Sequence, residues 1–202
     1  METEKQILNL FAFHQKLKFH EIERELKIRS NLLAYYIGAL LTKGVLKKEE
    51  RHYSLADSAE YLIPYFSDKQ AALPVALVQI GSKKQAFLHK REKRPYKGLL
   101  SLPGGRILIW ESPQKAAKRI MKTKFNIEIS NEKIKLIALE HVKKNKRLKH
   151  TFILFVVSAS SEFPIFLTDI EKNKRKITKS DYLLIKSNDT FPCLKTVISK
   201  ED

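Results

Sequence analysis

The sequence predicts two domains of different class: a mainly helical α+β unit at residues 1–68 and an α/β or α+β unit at residues 69–202. Apolar residues recur at helical spacing before residue 70 and in strand-like runs after it. The charge changes at the same place. Met1 to Asp68 holds ten Lys/Arg and ten Asp/Glu, whereas the remainder holds 29 and 12, the whole formal net charge of +17. The third observation is a tight Gly104-Gly105 turn followed by a helix, set between strands.

A chain of 202 residues with 43% hydrophobic and 30% charged residues suits a soluble protein with a real core. The longest apolar run, Phe152 to Val157, falls far short of the roughly 20 residues of a membrane helix, so no membrane partner is expected. The opening "METEKQ" has no signal-peptide layout, and a lone cysteine, Cys193, forms no intrachain disulfide; a cytoplasmic location is the expectation. The positive second unit attracts polyanions such as nucleic acid, nucleotides or an acidic partner.

In the first unit, Thr3 with Gln6 makes a capping box for a helix carrying Ile7, Leu8, Leu10 and Phe11. Phe19, Ile22 and Leu26 suggest a second short helix. A third runs from about Asn31 to Lys43, with Leu33, Ile37, Leu40 and Leu41 at helical spacing. Ser30 or Asn31 can cap it, and Gly44 ends it. "VLKKEERHYSL" (Val45 to Leu55) then reads as a β-hairpin around a charged turn.

This order resembles the winged helix-turn-helix of ArsR- and MarR-type regulators over residues 3 to 66, with "LKIRSNLLAYYIGALLTKGVLKKEERHYSL" as turn, recognition helix and wing. The resemblance implies that the third helix enters the major groove and the wing contacts backbone or minor groove. Arg29, Ser30, Asn31, Ala34 and Tyr35 would then face bases, and Lys43, Lys47, Lys48, Arg51 and His52 would face phosphate. Nothing from Asn31 to Thr42 is basic, although DNA affinity comes largely from phosphate neutralisation. Dimerisation or protein contact is the competing role for such a helix.

"SDKQAALP" (Ser67 to Pro74) is a plausible linker. From Pro74 the order is strand ("VALVQI"), turn at Gly81-Ser82, strand ("QAFLHKR"), basic loop, and "LLSLPGGRILIW". A helix follows, then strands "KLIALEHV" and "TFILFVVSA", and "TFPCLKTVIS" (Thr190 to Ser199) suits a closing helix. The basic runs Lys143 to Lys149 and Lys172 to Lys176 look like exposed loops.

The stretch Leu102 to Ile127 resembles the Nudix box, G-x5-E-x7-R-E-U-x-E-E-x-G-U, with U a bulky apolar residue. Gly105, Glu111, Arg119 and Ile127 fall at the required spacing, and "FLHKR" and "LPGG" fit the lead-in. The resemblance runs from about residue 72 and implies an α/β fold, an α/β/α sandwich. Ser112 and Pro113 start its helix well, and Ala116, Ala117, Ile120 and Met121 can face inward. The R-E-U-x-E-E segment, however, reads Arg119-Ile120-Met121-Lys122-Thr123-Lys124, and Asn126 replaces the second glycine.

Relatives of that kind cut a pyrophosphate with water activated at Mg²⁺ or Mn²⁺, ions that need oxygen ligands, usually carboxylates. Lys124 would set an ammonium near the cation, and like charges at about 4 Å repel by roughly 4 kcal/mol at an effective dielectric of 20. No metal or other cofactor is therefore expected, except Mg²⁺ or Mn²⁺ under a hydrolase alternative. Glu111 is the one catalytic candidate in that case, and a structural Glu111–Arg119 contact is the plainer role; Glu128 or Glu140 could replace lost ligands but have no motif. Lys124 could instead bind phosphate directly, with Arg91, Gly104, Gly105, Arg106, Glu111 and Arg119 around it, and Lys90 nearby.

Taken together, the sequence points to a DNA-binding regulator whose degenerate Nudix-like domain senses a nucleotide or nucleotide-sugar without cutting it. It is similar in parts to Nudix-related transcriptional regulators, with the domain order reversed, and a homodimer is expected. One alternative is a Nudix hydrolase of substrates such as ADP-ribose with non-standard metal ligands. Another is a nucleic-acid-binding adaptor using the basic runs.

Overall fold

In the computed structural model, which describes residues 2–65, 71–187 and 194–200, contacts divide the chain into two units, Met1–Ala71 and Ala72–Asp202. Residues 66–70, which include half of the expected linker, lie outside the described residues.

The first unit runs α1 (Glu2–Leu10), β1 (Leu17–Lys18), α2 (Phe19–Leu26), α3 (Ser30–Thr42), β2 (Leu46–Glu49) and β3 (His52–Leu55), followed by a 3-10 helix, Asp57–Tyr65. The strands form an antiparallel sheet in the order β1-β3-β2. The core is built from the helical spacing: Ile7, Ile22, Leu33, Ile37 and Leu40 pack against Leu46, Tyr53 and Leu55. Gly44 closes α3 in a left-handed conformation (φ +65°), where its N–H reaches the Leu41 carbonyl and Val45 N–H reaches that of Leu40.

Two helix starts differ from the sequence expectation. Helix α1 begins at Glu2, so Thr3 lies inside its first turn. The N-cap position of α3 is Arg29, with Ser30 already helical. The Ser30 hydroxyl is drawn away to the Glu23 carboxylate of α2, which competes with capping.

The second unit contains β4 (Leu73–Ile80), β5 (Gln85–Ala86), β6 (His89–Lys90), β7 (Leu100–Ser101), β8 (Gly104–Arg106), α4 (Pro113–Phe125), β9 (Ile129–Lys144), β10 (Arg147–Ser161), β11 (Thr168–Asp169), a 3-10 turn at Lys174–Lys176, α5 (Lys179–Lys186) and β12 (Leu194–Lys200). The main sheet is mixed, in the order β12-β9-β10-β4-β8, with β10–β4 and β12–β9 parallel. Side chains alternate across β4. Val78 and Ile80 pack with Ala117 and Met121 of α4, whereas Leu77 joins Leu136, Ala138, Leu154 and Val156 beneath Leu184 and Ile185 of α5. The two helices therefore cover opposite faces of the sheet.

Helix α4 starts as its sequence dictates, with the Ser112 hydroxyl accepting from Lys115 N–H and Pro113 at the first turn. It ends at Asn126, which takes the left-handed conformation (φ +53°) in place of the box glycine. Ile120 is fully buried and packs with Ala76 and Ala116; a Cβ at Gly105 would stand 3.1 Å from it.

The end of the chain corrects the expected closing helix. Leu194–Lys200 is strand β12, paired in parallel with β9 from Leu194↔Ile137 to Lys200↔Lys143; Thr190 to Cys193 lie outside the described residues. Thr196, Val197 and Ile198 are β-branched, and strand pairing outweighed an ambiguous period. The helix on this face is instead α5, capped by the Thr178 hydroxyl. The run Lys143 to Lys149 is likewise a strand hairpin rather than a loop, turning at Asn145-Lys146. Ile120→Ala should lower the unfolding free energy by about 2–5 kcal/mol, read from denaturant midpoints; a loss below about 1 kcal/mol would refute this packing.

Candidate ligand site

The loop before α4 is clasped by charge. Arg119 Nε and Nη2 donate to Glu111 Oε1 and Oε2 at 2.5 and 2.7 Å, and the same Nη2 donates to the Arg106 carbonyl at 2.9 Å. Leu108 N–H adds a third donor to Glu111. The arginine holds the Glu111 carboxyl below its ordinary range, against the opposing pull of burial. The two residues thus meet in the contact expected of them and tie the loop to α4.

Further along α4, the Thr123 hydroxyl donates back to the Arg119 carbonyl at 2.7 Å. Lys124 is an exposed residue whose ammonium donates to the Gly104 carbonyl at 2.5 Å. Burial of that ammonium, then repulsion from Arg91, Arg119 and Lys93, pushes its pKa down. Glu128 is paired with Lys122 at 2.5 Å on the surface. Among the described residues no three His, Cys, Asp or Glu side chains converge as a metal cage. The donor set at this position, a clasped carboxylate, a self-bonded threonine and an ammonium, does not fit Mg²⁺ or Mn²⁺.

Two cavities adjoin at Arg91 and Gly104. One, of about 380 Å³, is lined by His89, Lys90, Arg91, Glu92, Lys93, Lys124 and Phe125 and is predominantly cationic. Burial, with Arg91 and Lys124 nearby, lowers the His89 pKa, although its contact with the Lys90 carbonyl acts the other way. The other, of about 180 Å³, has apolar walls from Val75, Leu77, Phe152 and Leu154, with Tyr96 and two carboxylates, Glu140 and Asp181.

Asp181 is buried at the first turn of α5 and accepts from Leu102 N–H at 2.9 Å. Desolvation first, and then the charge of Glu140, raise its pKa to about 7. Tyr96 Oη donates to Glu140 at 3.3 Å. The Arg91 guanidinium is oriented by the Pro95 carbonyl, 2.8 Å from its Nε.

Of the ligand residues read from the sequence, Arg91, Gly104, Gly105, Arg106 and Lys124 come together around these cavities, while Glu111 and Arg119 line neither. Sequence reasoning missed Asp181 and Tyr96. Asp181 lies 79 residues from the backbone N–H it receives, and its one local signal was the Thr178 cap three residues earlier.

In the first unit, Arg29, Ser30, Asn31, Ala34 and Tyr35 are exposed around the start of α3, with Tyr35 71% accessible. Lys43 is ion-paired with Glu4 at 2.6 Å and Lys47 with Asp57 at 2.9 Å. Lys48 lies 5.5 Å from the Tyr53 ring centroid. It lines a cleft of about 340 Å³ with Lys18, His20 and Arg51; His52 is half-buried on β3. No helix among the described residues is long and apolar enough to cross a membrane.

No protein-family profile and no curated protein matches the chain. Solved structures do. The mutator MutT protein of Bacillus halodurans aligns with a TM-score of 0.50 at 17% identity, over 62% of this chain and 89% of that one. A Nudix hydrolase of Nitrosomonas europaea gives 0.48 at 14% identity, over 65% and 81%. The Nudix domain of Shewanella oneidensis NrtR, solved with ADP-ribose, gives 0.46 at 14% identity, over 65% and 96%. The likeness is one of fold: the chain carries a mixed α/β, Nudix-like fold.

Asp181 gives the site a pH signature. Its carboxyl holds a proton more tightly in the folded state, so its contribution to stability is fully present below about pH 4 and is lost as pH rises through about 7. Asp181→Asn should flatten the decline in stability between about pH 4 and 7, measured by urea unfolding across that range. An unchanged slope would show that Asp181 keeps an ordinary pKa.

Proposed function

We propose that this protein is a DNA-binding regulator in which a winged helix-turn-helix unit is controlled by a Nudix-like unit that binds a nucleotide or nucleotide-sugar and does not hydrolyse it. The observation that carries the reading is the pair of adjoining cavities, one ringed by cations and the other walled by apolar side chains. That division matches a ligand with a phosphate portion and a ring portion. Lys124 supports it further, since an ammonium in place of a metal-binding carboxylate supplies phosphate with positive charge directly.

For the first unit, the reading draws on the element order and on the exposed start of α3. Because Lys43 and Lys47 are committed to carboxylates, phosphate contacts fall chiefly to Lys48 and Arg51, with Lys18 and His20 lining the same cleft. A homodimer would present two copies of α3 to paired half-sites. Control requires that the ligand bind two conformations of the protein unequally.

A DNA shift assay on genomic fragments, with and without ADP-ribose or nucleoside diphosphates, tests this. Tyr35→Ala or Asn31→Ala should remove sequence-selective retention at about 150 mM salt, where non-specific binding is weak. Lys124→Ala should weaken nucleotide binding by roughly 10- to 100-fold, as for one lost charge-assisted hydrogen bond, and leave DNA affinity without ligand unchanged. Ligand that binds but shifts no DNA equilibrium would overturn the regulatory half.

The second reading is a hydrolase with relocated ligands, and the Glu140–Asp181 pair on one cavity favours it. Turnover of ADP-ribose with Mg²⁺ or Mn²⁺ that is lost in Glu140→Gln and kept in Glu111→Gln would establish that chemistry instead.

A further inference from the structure

The tip of the β9–β10 hairpin carries more charge than its place in the sheet explains. Within Lys143 to His150 there are five lysines and arginines and no acidic residue. Among the described residues none of the five is ion-paired. Residues 145–150 are all exposed, including Leu148 at 53%. Such a group repels itself and is stabilised only by counterions or by a polyanion.

The backbone presents these cations in a defined way. Lys144 is directly opposite Arg147, and Lys143 opposite Leu148, so Lys144 and Arg147 share one face while Lys143 lies on the other. A register shift between Leu148 and His150 leaves Lys149 as the extra residue of a bulge. The turn residues Asn145 and Lys146 both have positive φ, +50° and +63°, the geometry of a two-residue I′ turn. Glycine is the favoured second residue of such a turn, yet here a lysine takes the left-handed conformation. A strained position that holds a cation at the apex points to a use for that cation.

The sheet also narrows there. Among the described residues, strand β4 pairs with β10 no further out than Phe152, and β12 pairs with β9 no further than Lys143. Beyond Lys143 the described hairpin is only two strands wide, the Lys144–Arg147 pair and the Asn145-Lys146 turn; a projection of that width fits the major groove of B-form DNA, and the deep, narrow major groove of A-form RNA does not admit it.

We propose that the β9–β10 tip is a second, sequence-neutral contact of this protein with double-stranded DNA, reaching phosphates on both sides of a groove with the cations of its two faces and apex. It is separate from base reading by α3, and the two can fail independently. A tethered second contact raises overall affinity without new base contacts, which suits a recognition helix that carries no basic residue from Asn31 to Thr42.

The test measures affinity of the full-length chain for a labelled duplex from about 50 to 200 mM salt, where each phosphate contact contributes roughly 0.9 to the slope of log K against log salt. The quadruple change Lys143→Gln, Lys144→Gln, Lys146→Gln and Arg147→Gln should make that slope shallower by about 3 to 4, with unfolding midpoints unchanged. The milder pair Lys144→Gln with Arg147→Gln, confined to the end of the ribbon, should remove about half as much. Asn31→Ala should remove sequence selectivity and leave the slope contributed by the tip. An unaltered slope in both tip variants overturns the inference while leaving the α3 reading intact. Tip-dependent retention of RNA with equal or greater affinity would overturn it in favour of an RNA contact, and a wild-type chain that holds no duplex at the lowest salt would overturn both.

Discussion

The segment Leu102–Arg106 is held from both faces of the sheet, and the shape of the ligand site depends on that restraint. From the α5 side, Asp181 accepts the Leu102 N–H. From the α4 side, Arg119 donates to the Arg106 carbonyl and Lys124 to the Gly104 carbonyl. Val78 N–H binds the Pro103 carbonyl between them. Gly104 approaches β4 so closely that a Cβ would stand 2.6 Å from the Leu77 side chain. A side chain at Gly104 would force the Leu77 side chain aside, so glycine lets this segment lie close against β4 with its carbonyls presented to α4.

The restraint also explains how the scaffold persists without the carboxylates its motif resembles. The residues of α4 that secure the fold are Ala116, Ala117, Ile120 and Met121, all buried. The exchanged positions Thr123 and Lys124 are exposed. Changing them costs little in packing, because surface substitutions away from buried networks have small effects. Ile120 is the exception, since the motif it resembles has an acid where this chain has a fully buried apolar residue. A carboxylate there would need desolvating; isoleucine fills the space against Gly105 instead. Scaffold and chemistry occupy different faces of one helix.

The same separation accounts for what could be read from the sequence. Helix α4, its Ser112 cap and the Glu111–Arg119 pair were legible because spacing along one chain segment fixes them. The three helices and hairpin of the first unit were legible for the same reason, down to Gly44 at the end of α3. Strand β12 was not, because a short apolar run carries no period that separates strand from helix, and its partner lies nearly sixty residues away. Asp181 and Tyr96 were invisible for a related reason. Their roles come from Leu102 and Glu140, neighbours that only the folded sheet supplies.

Electrostatics connects these pieces to the proposed sensing role. Lys124 is depressed by burial and by Arg91, Arg119 and Lys93, and His89 by burial and by Arg91 and Lys124. The cations therefore oppose one another in the absence of an anion, and the clasp on Glu111 takes the nearest carboxylate of α4's loop out of play. A phosphate would relieve that repulsion, and anything that binds the folded chain alone also stabilises it. On the proposed reading, the substitutions that remove a divalent-cation site are the ones that create an anion site, because a lysine in place of a glutamate reverses the local charge and adds to the repulsion that a bound anion relieves.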